Sequence, residues 1–147
     1  MGFFGWTSRT ARPDDLAPLT ELKLVVLRAE FERLGIWNPS RHRARFVREF
    51  VADETRVIEG DGRLLGCIAL HPEPGTTWLR HFYLAEEARG RGIGTALLTD
   101  AIGSVGSVGS GSITLDVLTG SRAVSFYERA GFVVVERGDV DTVMRRA

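Results

Sequence analysis

Arg89-Gly90-Arg91-Gly92-Ile93-Gly94 sets three glycines and two arginines in six consecutive positions, directly before the helix-favouring run Thr95-Ala96-Leu97-Leu98. A glycine inside a regular element costs roughly 0.5–1 kcal/mol relative to alanine. So much backbone freedom at the mouth of a helix points to a large anion that must come close to the main chain. A strand, a glycine-rich turn and a helix N-terminus supply unpaired N–H groups and the positive end of the helix dipole. The arginines add charge. Gly-x-Gly-x-x-Gly is absent, which excludes the dinucleotide fingerprint, and so is Gly-x-x-x-x-Gly-Lys-Ser/Thr, which excludes a P-loop. The plainer alternative is a flexible surface turn.

Composition narrows the context. The chain has 147 residues, which suits one domain spanning 1–147. Its 19 basic and 19 acidic residues cancel, so no overall field recommends nucleic acid or an anionic membrane. The arginines between Arg41 and Arg48 read as a solvated helix face. The one cysteine, Cys67, has no partner for an internal disulfide, which favours a reducing cytoplasm. No basic, apolar leader opens the chain, and no apolar run approaches the ~20 residues of a membrane span.

The elements that must position this turn can be read from periodicity and punctuation. A short strand is expected over residues 5–11, then a helix over 15–34 capped by Asp14, with Leu16, Leu19, Leu22, Val26 and Ala29 on one face. Pro18 falls in its first turn, where a missing N–H costs little. Asn38-Pro39 starts a second helix to about residue 52, with Phe46, Val47 and Phe50 inward. Strands follow over 55–59 and 63–70, joined by Gly60-Asp61-Gly62. His71-Pro72-Glu73-Pro74-Gly75 reads as a turn before a strand over 76–84. A helix runs to about residue 102, and the Gly/Ser-rich stretch 103–112 reads as a loop. The chain closes with a strand over 113–118, a short helix ended by Gly131, and a hairpin of 132–136 with 142–146. The order β-α-α-β-β-β-α-β-α-β-β is that of a mixed α/β domain.

Arg89-Gly90-Arg91-Gly92-Ile93-Gly94 matches the Arg/Gln-x-x-Gly-x-Gly/Ala signature of the GNAT superfamily of acetyl-CoA-dependent N-acetyltransferases. Phe82-Tyr83-Leu84-Ala85 resembles the family's fourth strand entering that signature. Downstream, the stretch from Ala123 through Phe126 and Tyr127 to Gly131-Phe132 resembles the family's second motif, Ala-x-x-Phe-Tyr-x-x-x-Gly-Phe. The motifs stand in the family's order, and the resemblance covers nearly the whole chain. It implies one mixed, mostly antiparallel sheet whose parallel fourth and fifth strands splay apart, flanked by helices. It also implies that the main chain of Phe82, Tyr83 and Leu84 pairs with the pantetheine arm of acetyl-CoA, and that Arg89, Gly90, Arg91, Gly92, Ile93, Gly94 and Thr95 hold its pyrophosphate. No metal is implied.

The same resemblance suggests the chemistry. An alkyl amine with a pKa near ~10.4 must lose a proton before it attacks a thioester. Where some members carry a carboxylate on the fourth strand, this chain offers only His81, whose plainer reading is structural. Glu30, Trp37 and Asn38, around the first two helices, are the further expected acceptor-site residues; a solvated face for Glu30 and a packing role for Trp37 compete with that. Tyr127 is the expected general acid for the departing thiolate, since a phenol with a pKa near ~10 is protonated at neutral pH. The alternative for Tyr127 is a core aromatic. One departure is Gly120, where many members carry Asn. The expected partners are acetyl-CoA and an amine acceptor, with a homodimer left open; the competing functions are a non-catalytic acyl-CoA sensor and an interaction domain on the same fold.

Overall fold

A computed structural model describes residues 5–106 and 111–147. In chain order the elements are β1 (Trp6–Thr10), α1 (Leu16–Arg33), α2 (Pro39–Glu49), β2 (Thr55–Gly60), β3 (Arg63–Glu73), β4 (Thr76–Leu84), α3 (Ile93–Gly106), β5 (Ile113–Leu118), α4 (Ala123–Arg129), β6 (Val133–Arg137) and β7 (Asp141–Arg146). The strands form a seven-stranded sheet in the order β1-β2-β3-β4-β5-β7-β6. β1 with β2, β2 with β3, β5 with β7 and β6 with β7 run antiparallel, and β4 with β5 runs parallel. The parallel ladder holds Thr77↔Ile113 and Trp78↔Thr114, while both strands run on beyond it. No helix among the described residues is long and apolar enough to cross a membrane.

The chain divides into two compact units. One takes in the chain up to Ala69 together with His81–Ile93; the other takes in Leu70–Arg80 and Gly94–Ala147. In the first, Leu19, Phe46, Val57, Cys67 and Tyr83 pack into one apolar cluster. The Tyr83 hydroxyl, otherwise a buried polar orphan, donates to the Leu19 carbonyl of α1. The β2–β3 hairpin turns through Asp61 and Gly62, both at positive φ (53° and 70°), the conformation that a two-residue turn needs to match strand twist. Gly66 sits where a Cβ would collide with the Tyr83 carbonyl oxygen, so only glycine lets β3 approach β4 there. In the second unit, β5 and β7 pair from Ile113↔Arg146 to Leu118↔Asp141, and Ile113, Leu115 and Met144 are fully buried.

Several sequence expectations need correction. Asp14 does not cap α1. A short 3-10 turn at Pro13–Asp15 precedes the helix, and the Asp15 carboxylate accepts from the Arg12 main chain at 2.7 Å and from Arg9 at 2.8 Å. On α1, Leu19 is buried and Leu16, Leu22 and Val26 pack partly buried against the core as expected, but Ala29 is exposed, and Thr20, Leu24 and Phe31 are buried as well. Thr20 is tolerated inside because its hydroxyl donates to the Leu16 carbonyl. Phe46 points inward on α2 as expected, but Val47 is exposed, and the helix stops at Glu49. β3 continues through His71 to Glu73, so the turn is shorter than Pro and His suggested. α3 runs to Gly106, four residues into the stretch expected to be a loop. Of that loop, residues 107–110 lie outside the described residues.

Candidate active site

The turn before α3 owes its shape to two residues. Gly90 and Gly92 have φ of +71° and +80°, a left-handed backbone that L side chains rarely adopt. A Cβ at either would meet nothing within 4 Å, so no packing requires glycine here; backbone conformation alone does. Arg89, Arg91 and Thr95 are exposed, and Ile93 is buried at the start of α3. Arg91 folds back to donate to the Glu87 carbonyl at 3.0 Å. The predicted turn residues are thus contiguous and lie at the N-terminus of a helix of 14 residues.

Upstream of the turn, β4 carries one left-handed residue. His81 has φ of +51°, uncommon for a residue with a Cβ and a mark of local strain. Its side chain is only 6% exposed and sits edge-on to Phe46, with ring centroids 4.7 Å apart. The imidazole joins two residues that the sequence did not single out. Its Nδ1 lies 3.2 Å from Lys23 Nζ of α1, and its Nε2 lies 3.0 Å from Glu49 Oε1 of α2. An ammonium only donates, so Nδ1 accepts from protonated Lys23, while the carboxylate stands at ion-pair distance from Nε2 rather than in a hydrogen bond with it. Nearby, the Cys67 thiol donates to the His81 carbonyl at 3.0 Å.

The electrostatics of this cluster follow from burial. Desolvation, with help from the Arg45 guanidinium, pulls the Lys23 ammonium down to about 8, against an opposing pull from Glu49. Burial pushes the Cys67 thiol up to about 12, which removes it from consideration as a nucleophile. Tyr83 is raised by burial too and stays a phenol. One signal could have flagged Lys23: it is the chain's single lysine, all the other basic residues among the 19 being arginine.

The remaining predicted residues are placed as follows. Phe82 and Leu84 are half-buried and Tyr83 is buried, all near the end of β4. Tyr127, on α4 in the second unit, is buried between Phe126 and Phe132, at centroid distances of 5.3 and 5.6 Å. Burial raises its phenol, keeping it protonated across the physiological range. Asn38 caps α2, its side-chain oxygen accepting from the Arg41 main chain at 3.1 Å. Glu30 is tied to Arg33 at 2.8 Å on the helix surface. Trp37 is covered by the Arg28 guanidinium at 4.9 Å and stands beside a stack of Phe31 on His42, whose centroids are 3.8 Å apart. In the first unit, therefore, His81 meets Lys23 and Glu49, while Glu30, Trp37 and Asn38 are each engaged with neighbours of their own. The Gly120 position has φ of +81°, which accounts for glycine there on conformational grounds.

Known proteins share this architecture. A PaiA N-acetyltransferase from Thermoplasma acidophilum, solved with coenzyme A, superposes with a TM-score of 0.80 at 23% identity, covering 97% of this chain and 98% of that one. A protein of known structure from Pyrococcus horikoshii gives a TM-score of 0.79 at 18% identity, over 97% and 98% of the two chains. In sequence, an uncharacterized N-acetyltransferase of Schizosaccharomyces pombe is 36% identical over 78 residues, a match spanning 51% of this chain and about half (48%) of that protein. The model of the acetyltransferase (GNAT) family matches residues 19–132. That match runs from α1 through the glycine turn to Phe132, and on it the chain belongs to the GNAT family.

Proposed function

We propose that this protein is an N-acetyltransferase that moves the acetyl group of acetyl-CoA to a primary amine of a small molecule or peptide, by direct attack in a ternary complex. The observation that carries the reading is the turn at residues 89–94. Two left-handed glycines with open space around them precede a helix N-terminus, a cradle shaped for a phosphate by main-chain N–H groups. The relative solved with coenzyme A supports the same ligand. Acetyl-CoA supplies the activated acyl group as a thioester. The chain's part is to bind and to move protons. Main-chain groups of residues 82–84 hold the pantetheine arm as an added strand, and residues 89–95 hold the pyrophosphate. Tyr127, protonated at neutral pH, donates to the leaving thiolate.

The test has two stages. Acetyl-CoA should raise the melting temperature, because a ligand that binds only the folded state stabilises it. Acetyl-dependent release of free CoA should then appear across a panel of amines. No thermal shift at millimolar acetyl-CoA would remove the cofactor from the reading. Binding without transfer to any amine would make the protein a sensor of acyl-CoA.

A further inference from the structure

We propose that Lys23 is a self-acetylation site: its amine takes the acetyl group of acetyl-CoA, with His81 accepting the proton and Glu49 orienting His81. This rests on the acetyl-CoA reading above and extends it, because the acceptor is now part of the chain.

Three observations carry it. The first is geometric. An activated nucleophile is recognised by a base within hydrogen-bond reach and a third group that orients the base. Lys23 Nζ, His81 Nδ1, His81 Nε2 and Glu49 Oε1 form that succession, at 3.2 and 3.0 Å. The Glu49 carboxylate, 3.0 Å from Nε2, favours the tautomer protonated there, which leaves the Nδ1 lone pair facing the amine. The second is chemical identity. Every other basic position is arginine, which stays charged and cannot attack; the one lysine stands against the one histidine of β4. The third is the surroundings. Lys23 Nζ lies 5.1 Å from the centre of the Phe46 ring, among Arg45 and Glu49 of α2, Cys67 of β3 and His81 of β4. That partly desolvated setting brings the ammonium down to about 8, so a useful fraction is neutral near physiological pH. His81 also directly precedes Phe82, the first of the residues proposed to hold the pantetheine arm.

The step balances simply. The Lys23 nitrogen forms a C–N bond to the thioester carbonyl carbon and the C–S bond breaks. The amine proton passes to His81 Nδ1, and the CoA thiolate leaves and is protonated to the thiol. The product is an amide, stable where an ester would be turned over, so Lys23 is a modification site and not a catalytic intermediate. Acetylation removes the only lysine charge and its hydrogen bond to His81.

The full chain, incubated with acetyl-CoA and no added amine, tests this by intact mass followed by peptide mapping. One acetyl group should appear on Lys23, faster as pH rises toward about 8. Lys23→Arg should abolish it. His81→Asn, chosen because asparagine tolerates a left-handed backbone, should slow it by ~10²-fold or more, the range of a lost general base. Glu49→Gln, on the more exposed partner, should slow it less and guards against misfolding of the His81 variant. Competitive labelling with acetic anhydride, which needs no acetyl-CoA, should show a folded-state amine half-titrated near 8 and an ordinary lysine in urea. Acetyl-CoA that raises the melting temperature but leaves Lys23 unmodified overturns this inference and spares the cofactor reading. No thermal shift and no modification overturn both. Labelling of Lys23 as fast in the unfolded chain as in the folded one overturns the inference as well.

Discussion

The turn at residues 89–93 and the cluster around His81 lie in the same compact unit, and they are made of different material. The turn is main chain. Its two arginines are exposed, a Cβ at Gly90 or Gly92 would meet nothing within 4 Å, and its form depends on φ at those two glycines. The cluster is side chain, drawn from α1, α2 and β4, with Lys23 and His81 58 positions apart. A main-chain site should ignore most side-chain replacements but fail when a Cβ is forced on it. A side-chain site should fail with the loss of one functional group, or when the packing that gathers it loosens.

The sharpest test of that contrast uses a side chain. Tyr127→Phe keeps the ring between Phe126 and Phe132 and deletes one proton. If the phenol is the general acid, kcat should fall ~10²–10⁴-fold while the dissociation constant of acetyl-CoA holds. A fall in affinity with unchanged kcat in steady-state assays would make Tyr127 a packing residue.

A second test loosens the packing under the cluster. Asp15 is paired with Arg9, which also holds Glu59 at 3.1 Å, and this network anchors the start of the helix that carries Lys23. Hydrogen bonds from Arg9 and from the Arg12 main chain hold the Asp15 carboxyl at about 2, against 3.8 ordinarily. A carboxylate depressed in the folded state stabilises above its unfolded pKa, and that contribution is lost as pH falls through the folded value. Stability should therefore drop by roughly 2 kcal/mol between about pH 5 and pH 2 on this account. Denaturant unfolding at several pH values measures it, and Asp15→Asn should remove most of the slope.

The third test turns to the main chain. Gly92→Val forces a β-branched residue into left-handed backbone, at a cost of about 1–2 kcal/mol. Affinity for acetyl-CoA in isothermal titration should fall by about 5–30-fold accordingly. Arg89→Ala, which removes an exposed and screened charge, should cost about 1 kcal/mol or less and become invisible at high salt. Should the arginine change prove the more damaging, the turn works through charge and not through its backbone.

How much could be read beforehand depended on how local each feature is. Element types and order were legible because periodicity and caps act over a few residues: Asn38 does cap α2, and Asp61-Gly62 does turn the hairpin. Where long-range packing decides, the reading slipped. Leu19 with Leu16, Leu22 and Val26 does face the cluster of Phe46, Cys67 and Tyr83, but the expected face missed Leu24 and Phe31, which are buried too. β3 outran its turn signals because ladder pairing outweighed a local preference at Pro72.

The sequence by itself determined the family and the glycine turn, since each is written in a contiguous motif whose physics is local backbone conformation. Only the tertiary structure decided that Lys23, Glu49 and His81 meet. Nothing in the spacing of residues 23, 49 and 81 encodes a contact; it arises because α1, α2 and β4 each bring one of them to the same place, the last on a left-handed backbone.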